Sequence, residues 1–323
     1  MMNVLVTGAT GFVGMALMKV IVNKADHVEV LLRNQSKGLN KSIKQQYCNL
    51  EDSGSLSLVD FSSIDCVIHL AARAHVIRDS SLNPLSVYRA INRDGTLLLA
   101  KLAAKAGVKR FIYLSSIKVN GELTSLGQPH VENDCCNVND PYGLSKYEAE
   151  IDLLKLASDS GMEVVIIRPP LVYGPGVKAN FASMVRWVRK GIPLPFGMVG
   201  NKRSLIAVDN LVDFILLCAD SSRSPKAANQ VFLVSDCEDV STTTLLRKVA
   251  RAYGAKSSLL PVPVSLMRLA AKLFRKSDMA DRLFENLQVD SSKARDLLGW
   301  KPIVTMDEQL RIMAEFDKTA GKT

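Results

Sequence analysis

The sequence predicts an α/β fold with a doubly wound parallel sheet and a smaller C-terminal domain. Short apolar runs alternate with helix-like segments through about the first 170 residues. This alternation is typical of a parallel sheet covered by helices on both faces. After Arg168, prolines divide the chain into shorter elements, which indicates a second unit. We therefore predict a first domain over residues 1–170 and a second over 171–323, with residues of about 203–235 returning to the first.

The individual elements follow from apolar runs of strand length and from longer periodic segments of helix length. The strand predictions are residues 4–7, 28–32, 66–70, 111–115 and 164–168. Helices are predicted at residues 12–22 and 86–106, and the second ends at Gly107 because glycine favours helix C-termini. A further helix begins after Asp140, because aspartate is a good N-cap and Pro141 suits the first helical position.

Composition narrows the possible classes of function. No apolar stretch approaches the roughly 20 residues of a membrane span, and the N-terminus has no signal-peptide pattern, so a cytoplasmic location is expected. The net charge of +9 suits an anionic ligand or surface, whereas the lack of a basic tail disfavours nucleic acid. The six cysteines form no C-x-x-C pair, and we predict no metal site.

A glycine-rich turn joins the first predicted strand to the first predicted helix. Its first glycine permits a tight turn, its second lets backbone approach a pyrophosphate, and its third allows close packing of helix on sheet. The helix N-terminus offers unpaired N–H groups and a positive dipole end to phosphates. The turn therefore predicts a dinucleotide-binding site formed by Gly8, Thr10, Gly11, Phe12, Val13 and Gly14.

The glycine spacing, one residue wider than G-x-G-x-x-G and led by Thr7, resembles that of the extended short-chain dehydrogenase family. Residues 65–72 are similar to the family's fourth strand and the turn after it, and residues 92–96 resemble its fourth-helix motif. The resemblance implies a Rossmann-type first domain that binds NAD(P). It also implies further cofactor contacts at Asn49, Leu50, Leu70, Ala71, Ala72, Asn92, Ser115 and Pro169.

The end of the second predicted strand bears on the choice of nicotinamide cofactor. NAD-binding domains usually place an acidic residue there, which accepts hydrogen bonds from the ribose 2′-hydroxyl. Here the strand ends in Arg33, and Glu29 lies too early to reach the ribose. Because a guanidinium forms paired hydrogen bonds to a phosphate, we favour NADP(H) over NAD(H).

A tyrosine and a lysine one helical turn apart form the predicted proton-transfer site. Tyr142 and Lys146 stand at positions i and i+4 of the helix that begins at Pro141. A free tyrosine has a pKa of about 10, and a nearby ammonium is expected to lower it. Lys146 is also expected to hold the nicotinamide ribose. The family pattern makes Ser116 the catalytic hydroxyl, with Ser115 as the fallback one step earlier.

The second half of the chain resembles the nucleotide-sugar branch of this family, which includes sugar 4-epimerases, 4,6-dehydratases and 4-keto-sugar reductases. The segment 168–176 is similar to its substrate loop, and the resemblance implies that Asn180, Phe181 and Arg203 contact the diphosphate of a nucleoside-diphosphate sugar. The R-P-G-D segment of many relatives is missing, so residues 275–278 or Arg282 are the candidates for a second phosphate-binding arginine.

Three functions remain open within this branch. Ile117 and Lys118 stand where dehydratases carry an Asp-Glu pair, which disfavours dehydration. We narrowly favour a reductase of the UDP-4-keto-6-deoxy-N-acetylhexosamine type, because of Arg33 and the resemblance of residues 115–122. The alternative is a UDP-sugar 4-epimerase, and either reaction would serve surface polysaccharide (O-antigen) synthesis. The third possibility is a regulatory protein that binds NADP without turnover.

Three lesser features complete the predictions. Residues 264–276 form a basic amphipathic segment, for which packing against the protein body or a partner is favoured over a place on an anionic membrane. The helices that begin near Ser86 and Pro141 match those of a dimer interface in relatives, so a homodimer is expected. His69, His75 and His130 show no ligand spacing and are interpreted as structural or incidental.

Overall fold

A computed structural model describes residues 2–36, 38–40, 43–74, 83–134, 138, 140–274, 281 and 283–320. Nine strands are described: β1 Asn3–Thr7, β2 His27–Leu32, β3 Lys44–Tyr47, β4 Cys66–His69, β5 Arg110–Leu114, β6 Glu163–Arg168, β7 Leu171–Tyr173, β8 Leu205–Ala207 and β9 Gln230–Leu233. The helices are α1 Phe12–Ile21, α2 Ser53–Leu56, α3 Pro84–Arg89, α4 Thr96–Lys105, α5 Pro141–Ser160, α6 Ala179–Arg189, α7 Val208–Ala219, α8 Thr242–Ala252, α9 Val264–Leu273, α10 Ser292–Leu298 and α11 Met306–Ala320.

Seven strands form one parallel sheet in the order β3-β2-β1-β4-β5-β6-β9. The order reverses between β1 and β4, and ligands of such sheets bind in the crevice at the carboxyl ends of the strands at this point. The glycine turn after β1, Arg33 after β2 and the turn after β4 therefore share one edge of the sheet. The predicted doubly wound α/β fold is confirmed.

Helices cover both faces of this sheet. On one face, Leu17 of α1 and Phe214 of α7 belong to a single buried cluster. On the other face, Leu99 of α4 and Leu153 of α5 belong to a second cluster. Because both faces are covered, the central strands are nearly continuous apolar runs, and all four residues 164–167 are fully buried.

The C-terminal half contributes to both parts of the molecule. The short parallel pair β7 and β8 adjoins a third buried cluster, to which α6, α8 and α11 contribute side chains. The intervening β9 pairs with β6 in the main sheet, and α7 packs against α1. The division near residue 170 stays a prediction, as does the return of residues 203–235.

The structure contains the helix predicted at residues 86–106, but with a different start and with an interruption. It begins two residues earlier, at Pro84, with Asn83 as its N-cap, and a π-helical turn at Ala90–Gly95 divides it into α3 and α4. A Cβ at Gly95 would lie 2.3 Å from the Leu50 carbonyl oxygen. The helix therefore passes directly over the backbone that follows β3, a contact that periodicity does not reveal.

Helix α9 packs against the body through only part of its surface, and a partner for the rest stays a prediction. Met267 is its buried residue, whereas Leu266, Leu269 and Leu273 are more than half exposed. Among the described residues, no helix combines the length and hydropathy required to cross a bilayer. The cytoplasmic location remains a prediction.

Candidate active site

The glycine turn has the geometry of a phosphate cradle. Gly8 has a φ of +69°, and a Cβ there would lie 2.7 Å from the Ala71 nitrogen. A Cβ at Gly14 would lie 2.1 Å from the Gly8 carbonyl oxygen, so α1 packs closely on the turn. Gly11 is the N-cap of α1 and provides no side-chain cap, so the first-turn N–H groups of Phe12 and Val13 remain available to an anion.

A cleft of about 370 Å³ adjoins this turn at the end of β2. The described residues of its lining, none of which carries a carboxylate, are Thr10, Leu32, Arg33, Asn34, Gln35 and Ser36. Glu29 is buried within β2, where it pairs with Lys44 (3.2 Å) and accepts a hydrogen bond from Gln46 (2.7 Å). The polar, acid-free lining fits the adenosine end of a dinucleotide.

His69 has a positioning role that the sequence did not reveal. Its Nδ1 hydrogen-bonds the Thr7 hydroxyl (2.8 Å) and its Nε2 the Thr96 hydroxyl (2.9 Å). The Thr7 hydroxyl also accepts a hydrogen bond from the Ala71 N–H (3.1 Å). Burial, assisted by the charge of Lys146, lowers the pKa of His69 to about 3, so the ring is neutral. The His69 ring and the Thr7 hydroxyl thus connect the end of β1 to the turn after β4 by hydrogen bonds.

Asn92 supports the same turn from the other side. Its Oδ1 accepts a hydrogen bond from the Arg73 N–H (2.8 Å), and its Nδ2 donates to the Arg73 carbonyl (3.1 Å) and to Ser145 Oγ (3.0 Å). Asn92 is fully buried. Its side chain therefore holds the backbone that follows Ala71 and Ala72 against α5.

The other residues expected at the adenine end lie in the turn after β3. The Asn49 side chain accepts a hydrogen bond from the Glu51 N–H (3.3 Å). Leu50 packs partly buried against the second core cluster, with its carbonyl against Gly95. At the opposite end of the site, the Pro169 carbonyl accepts a hydrogen bond from the Ile117 N–H (3.0 Å), which fixes the loop after β5.

Ser116 lies near enough to Tyr142 for its side chain to lower the pKa of the phenol, and its hydroxyl also accepts a hydrogen bond from the Lys118 N–H (3.3 Å). Asp140 caps α5 by accepting a hydrogen bond from the Tyr142 N–H (3.0 Å), which sets the tyrosine in the first turn. Burial raises the pKa of Tyr142 and the Asp140 charge raises it further, whereas the Ser116 side chain lowers it. These surroundings keep Tyr142 a protonated phenol near neutrality.

Lys146 does not pair with Tyr142 as the helix spacing predicted. Its ammonium donates to the Leu114 carbonyl (2.8 Å) and lies 4.4 Å from the centre of the Tyr113 ring. Burial lowers the pKa of Lys146 to about 7, against the opposing charge of Glu150. The prediction that this ammonium lowers the Tyr142 pKa is wrong here, because the lysine side chain extends to the end of β5.

A buried ion pair decides between the two candidate serines. Ser115 donates its hydroxyl proton to the Glu150 carboxylate, which Arg168 contacts at 3.0 and 2.5 Å. All three side chains are buried. Ser115 is therefore engaged by the protein itself, whereas Ser116 lies near Tyr142.

The predicted substrate residues lie in the C-terminal half. Phe181 is buried and stacks on Tyr173 with ring centres 5.6 Å apart, which anchors α6 and leaves Asn180 exposed beside it. Arg203 lies on a segment that pairs with Val240, and its guanidinium donates to the Glu285 carbonyl (3.2 Å). Residues 275–278 and Arg282 lie outside the described residues, as does His75.

Fold and site together define an NAD(P)-binding enzyme of the extended short-chain dehydrogenase class. Residues 4–233 match the model of the NAD dependent epimerase/dehydratase family. The chain belongs to this family, and the predicted resemblance and enzyme class are confirmed. Among the described residues, no cluster of three His, Cys, Asp or Glu side chains is arranged to hold a metal ion.

Individual relatives agree with this assignment. The chain is 49% identical over 314 residues to a UDP-glucose 4-epimerase of Vibrio cholerae, covering 97% of this chain and 94% of that protein. It is 28% identical to the N-acetyl-alpha-D-glucosaminyl-diphospho-ditrans,octacis-undecaprenol 4-epimerase of Escherichia coli O157:H7, covering 82% and 77%. The crystal structure of a Thermotoga maritima UDP-glucose 4-epimerase with UDP-glucose superposes with a TM-score of 0.80 at 26% identity, covering 99% of each chain.

Proposed function

We propose that the protein is a UDP-sugar 4-epimerase that acts on a UDP-hexose of the UDP-glucose or UDP-N-acetylglucosamine type. The observation that carries this proposal is the 49% identity to a UDP-glucose 4-epimerase along nearly the whole of both chains. The proximity of Ser116 to Tyr142 supports it, because oxidation at a sugar carbon requires a group that removes the hydroxyl proton.

The relatives favour this alternative over the 4-keto-sugar reductase that the sequence narrowly favoured. That preference depended on Arg33 and on a resemblance in the loop around Ser116. Neither feature distinguishes a reductase, which transfers hydride once, from an epimerase, which transfers it twice, since both reactions use the same proton-transfer residues. The reductase therefore lacks support of its own. A role in O-antigen or other surface polysaccharide synthesis remains a prediction.

In the proposed chemistry, Tyr142 accepts and returns the proton of the sugar 4-hydroxyl. Its phenolate takes the proton of the sugar 4-hydroxyl as C4 is oxidised and returns it when C4 is reduced from the other face. When bound, the nicotinamide supplies the hydride acceptor and, in its oxidised form, a positive charge. Because burial raises the pKa of Tyr142, a positive charge near the phenol would favour its ionisation near neutrality. Lys146, one turn further along α5, holds the nicotinamide ribose in this proposal.

The sugar diphosphate is assigned to the C-terminal half. Arg203 suits this role because a guanidinium binds phosphate oxygens in pairs, and Asn180 is exposed at the start of α6. Buried Phe181 acts by fixing α6 through its stacking on Tyr173. We expect Arg203→Ala to raise KM for the sugar nucleotide far more than it lowers kcat.

Arg33 remains the argument for NADP(H). It is exposed at a cleft whose described residues offer no carboxylate to a ribose 2′-hydroxyl and no charge that would repel a 2′-phosphate. An epimerase leaves its dinucleotide in the starting oxidation state, so the size of the cellular NADPH pool no longer bears on the choice. Denaturing the purified protein and identifying the released dinucleotide tests this, and NAD⁺ would contradict it.

The test of the reaction is to incubate the purified protein with UDP-glucose or UDP-N-acetylglucosamine, without added dinucleotide. We expect the corresponding C4 epimer in the proton NMR spectrum, with no net change in absorbance at about 340 nm. Stoichiometric NADPH consumption with a UDP-4-keto sugar, and no epimerisation, would establish the reductase instead. Dinucleotide binding without turnover of any of these sugars would support the third possibility, a regulatory protein without catalytic activity.

The acid/base assignment has its own test. Tyr142→Phe removes the hydroxyl while keeping the ring, and we expect kcat to fall by about 10²- to 10⁴-fold, the usual contribution of a positioned acid/base. Dinucleotide affinity, measured by fluorescence titration, should stay near that of the parent. Undiminished turnover would show that another group carries the proton. Ser115→Ala is the matched comparison, because its hydroxyl is directed to Glu150 rather than to Tyr142.

A second candidate substrate is a sugar carried by a polyprenol diphosphate. The Escherichia coli relative named above acts on such a molecule, and the exposed apolar face of α9 provides a specific observation in its favour. A polyprenol-linked sugar offers the same diphosphate to Arg203. Presenting a diphosphopolyprenol-linked N-acetylhexosamine in detergent, beside the UDP-sugar, compares the two by kcat/KM.

A further inference from the structure

Helix α9 presents an apolar surface that the described part of the protein leaves exposed. Leu266 and Leu269 are 56% and 57% exposed, and Leu273 and Phe274 are both 75% exposed. Met267 contacts the protein body instead and is 9% exposed. An apolar patch of this kind on an otherwise well-packed protein marks an interaction site.

The exposed residues share one face of the helix. At 3.6 residues per turn, positions 266, 269 and 273 follow one another along a single stripe. Lys272 lies beside this stripe and is itself exposed, while Met267 lies on the side turned to the body. A helix with leucines on one face and a basic residue at its margin is typical of helices that lie in the membrane interface.

The charges around α9 favour an anionic occupant. Residues 264–276 contain four basic side chains and no acidic one. Arg268 is already neutralised by Glu285 and, at 3.6 Å, by Asp281, so Lys272 is the described cation that remains for a ligand. Arg275 and Lys276 follow directly in the chain, outside the described residues. The whole chain carries a net charge of +9, which adds long-range attraction to an anionic surface.

Two further exposed apolar side chains, Leu260 and Met198, lie outside the helix. Leu260, three residues before the N-cap Pro263, is 48% exposed, and Met198 is 54% exposed. The two lie close together, because the Gly197 N–H donates to the Leu260 carbonyl (2.9 Å). Exposed apolar side chains therefore also occur on the segment that leads into α9.

We infer that α9 docks this protein on an anionic lipid bilayer, with Leu266, Leu269, Leu273 and Phe274 inserted at the interface and Lys272 against the headgroups. A protein partner or a second copy could also cover leucines. The basic residue beside the leucine stripe and the absence of acidic residues from residues 264–276 favour the bilayer. The negative charge of lipid phosphates is complementary to this basic charge.

The docking helix is connected to the candidate substrate arginine. Arg268 of α9 pairs with the carboxylate of Glu285, whose backbone carbonyl accepts a hydrogen bond from Arg203 (3.2 Å). A bilayer held by α9 would therefore lie near the place where a sugar diphosphate is proposed to bind. This inference concerns membrane attachment alone, and it stands whichever sugar donor is the substrate.

The test is co-sedimentation of the full chain with vesicles of phosphatidylcholine, alone or with one third phosphatidylglycerol. We expect binding to the anionic vesicles only, weakened by added salt. Replacing Leu269, Leu273 and Phe274 together by serine should lower the binding constant at least tenfold, because insertion scales with apolar area. Lys272→Gln should lower it about fivefold, the effect of one lysine near an anionic surface.

Leu58→Ser is the matched control, because Leu58 is 82% exposed and lies far along the chain after α2. It should bind vesicles as the parent does, and circular dichroism should show that every variant is folded. UDP-sugar turnover in vesicle-free buffer should be unchanged in the triple variant. Failure of the parent to bind anionic vesicles, or full binding by the triple variant, would overturn the inference. So would a fall in molar mass of the triple variant by light scattering without vesicles, which would make the patch an interface between copies.

Discussion

At the scale of single residues, His69 shows how burial turns an unremarkable histidine into part of the site. Its two ring nitrogens are engaged by the hydroxyls of Thr7 and Thr96, and it carries no charge at neutral pH. The interpretation of His69 as a structural residue, made from the sequence, agrees with these contacts. What the sequence did not provide is the location, which is directly beneath the turn that holds Ala71.

This burial makes stability depend on pH. The folded pKa of His69 is about 3, below its ordinary value of 6.5, so between these values the unfolded chain binds the extra proton. The resulting stabilisation is complete above pH 6.5 and is lost as pH falls towards 3. We expect His69 to account for about 2 kcal/mol of the loss between pH 6.5 and 5.

Urea unfolding at pH 6.5 and at pH 5 measures the contribution of His69 to the free energy of unfolding. His69→Gln should be less stable than the parent at pH 7, because the ring contacts are lost, yet its stability should fall less steeply with acid. The difference between the two proteins should therefore narrow by about 2 kcal/mol from pH 6.5 to 5. A difference that stays constant over this range would show that His69 titrates alike in the folded and unfolded chains.

At the scale of elements, the junction of β1 and α1 depends on the absence of side chains. Gly14 brings the first turn of α1 against the carbonyl of Gly8, at a separation that leaves no room for a methyl group. The sequence motif predicted this close packing, and the predicted position of the helix agrees with it to within one residue. Local signals of this kind are read reliably because the whole motif is contiguous in the chain.

Gly14→Ala should therefore displace α1 from the turn. We expect a loss of about 1–3 kcal/mol of stability, the usual effect of overpacking, together with a marked loss of dinucleotide affinity. Gly200→Ala is the control, because a Cβ there would meet nothing within 4 Å. Thermal unfolding and fluorescence titration with dinucleotide measure both effects. Parent-like affinity in Gly14→Ala would show that the phosphates bind elsewhere.

Other elements could not be predicted from sequence patterns. The π-helical turn at Ala90–Gly95 and the polar edge strand β3 leave little trace in hydrophobic periodicity. The interruption of the helix reflects its contact with the Leu50 backbone, which lies about 45 residues away in the chain. Such contacts override the local preference for a continuous helix.

At the scale of the whole molecule, the pairing of helices bears on assembly. Helix α3 and the π-helical turn lie beside α5, joined by the ion pairs of Arg89 with Glu148 and of Arg93 with Asp152 (2.8 Å). On α5, Ile151 is 49% exposed between these pairs in the sequence. The predicted homodimer would cover this face, and it remains a prediction.

Light scattering at micromolar concentration measures the assembly. We expect twice the mass of one chain for the parent, and a shift towards the monomer for Ile151→Glu, because a buried unpaired carboxylate opposes association. Leu58→Glu, at an exposed position outside these helices, should leave the mass unchanged. A monomeric parent would remove the dimer hypothesis and leave Ile151 as an isolated surface residue.

The sequence alone determined five strands of the main sheet, the glycine turn, the cap of α5 and the family, because each depends on neighbours in the chain. Only the tertiary structure showed that the Ser115 hydroxyl is bound to Glu150, since this partner comes from another element. It also decided that Lys146 extends to β5 and that α9 exposes its leucines. Hydrogen-bond partners and burial depend on distant segments brought together by packing, and no local pattern records that choice.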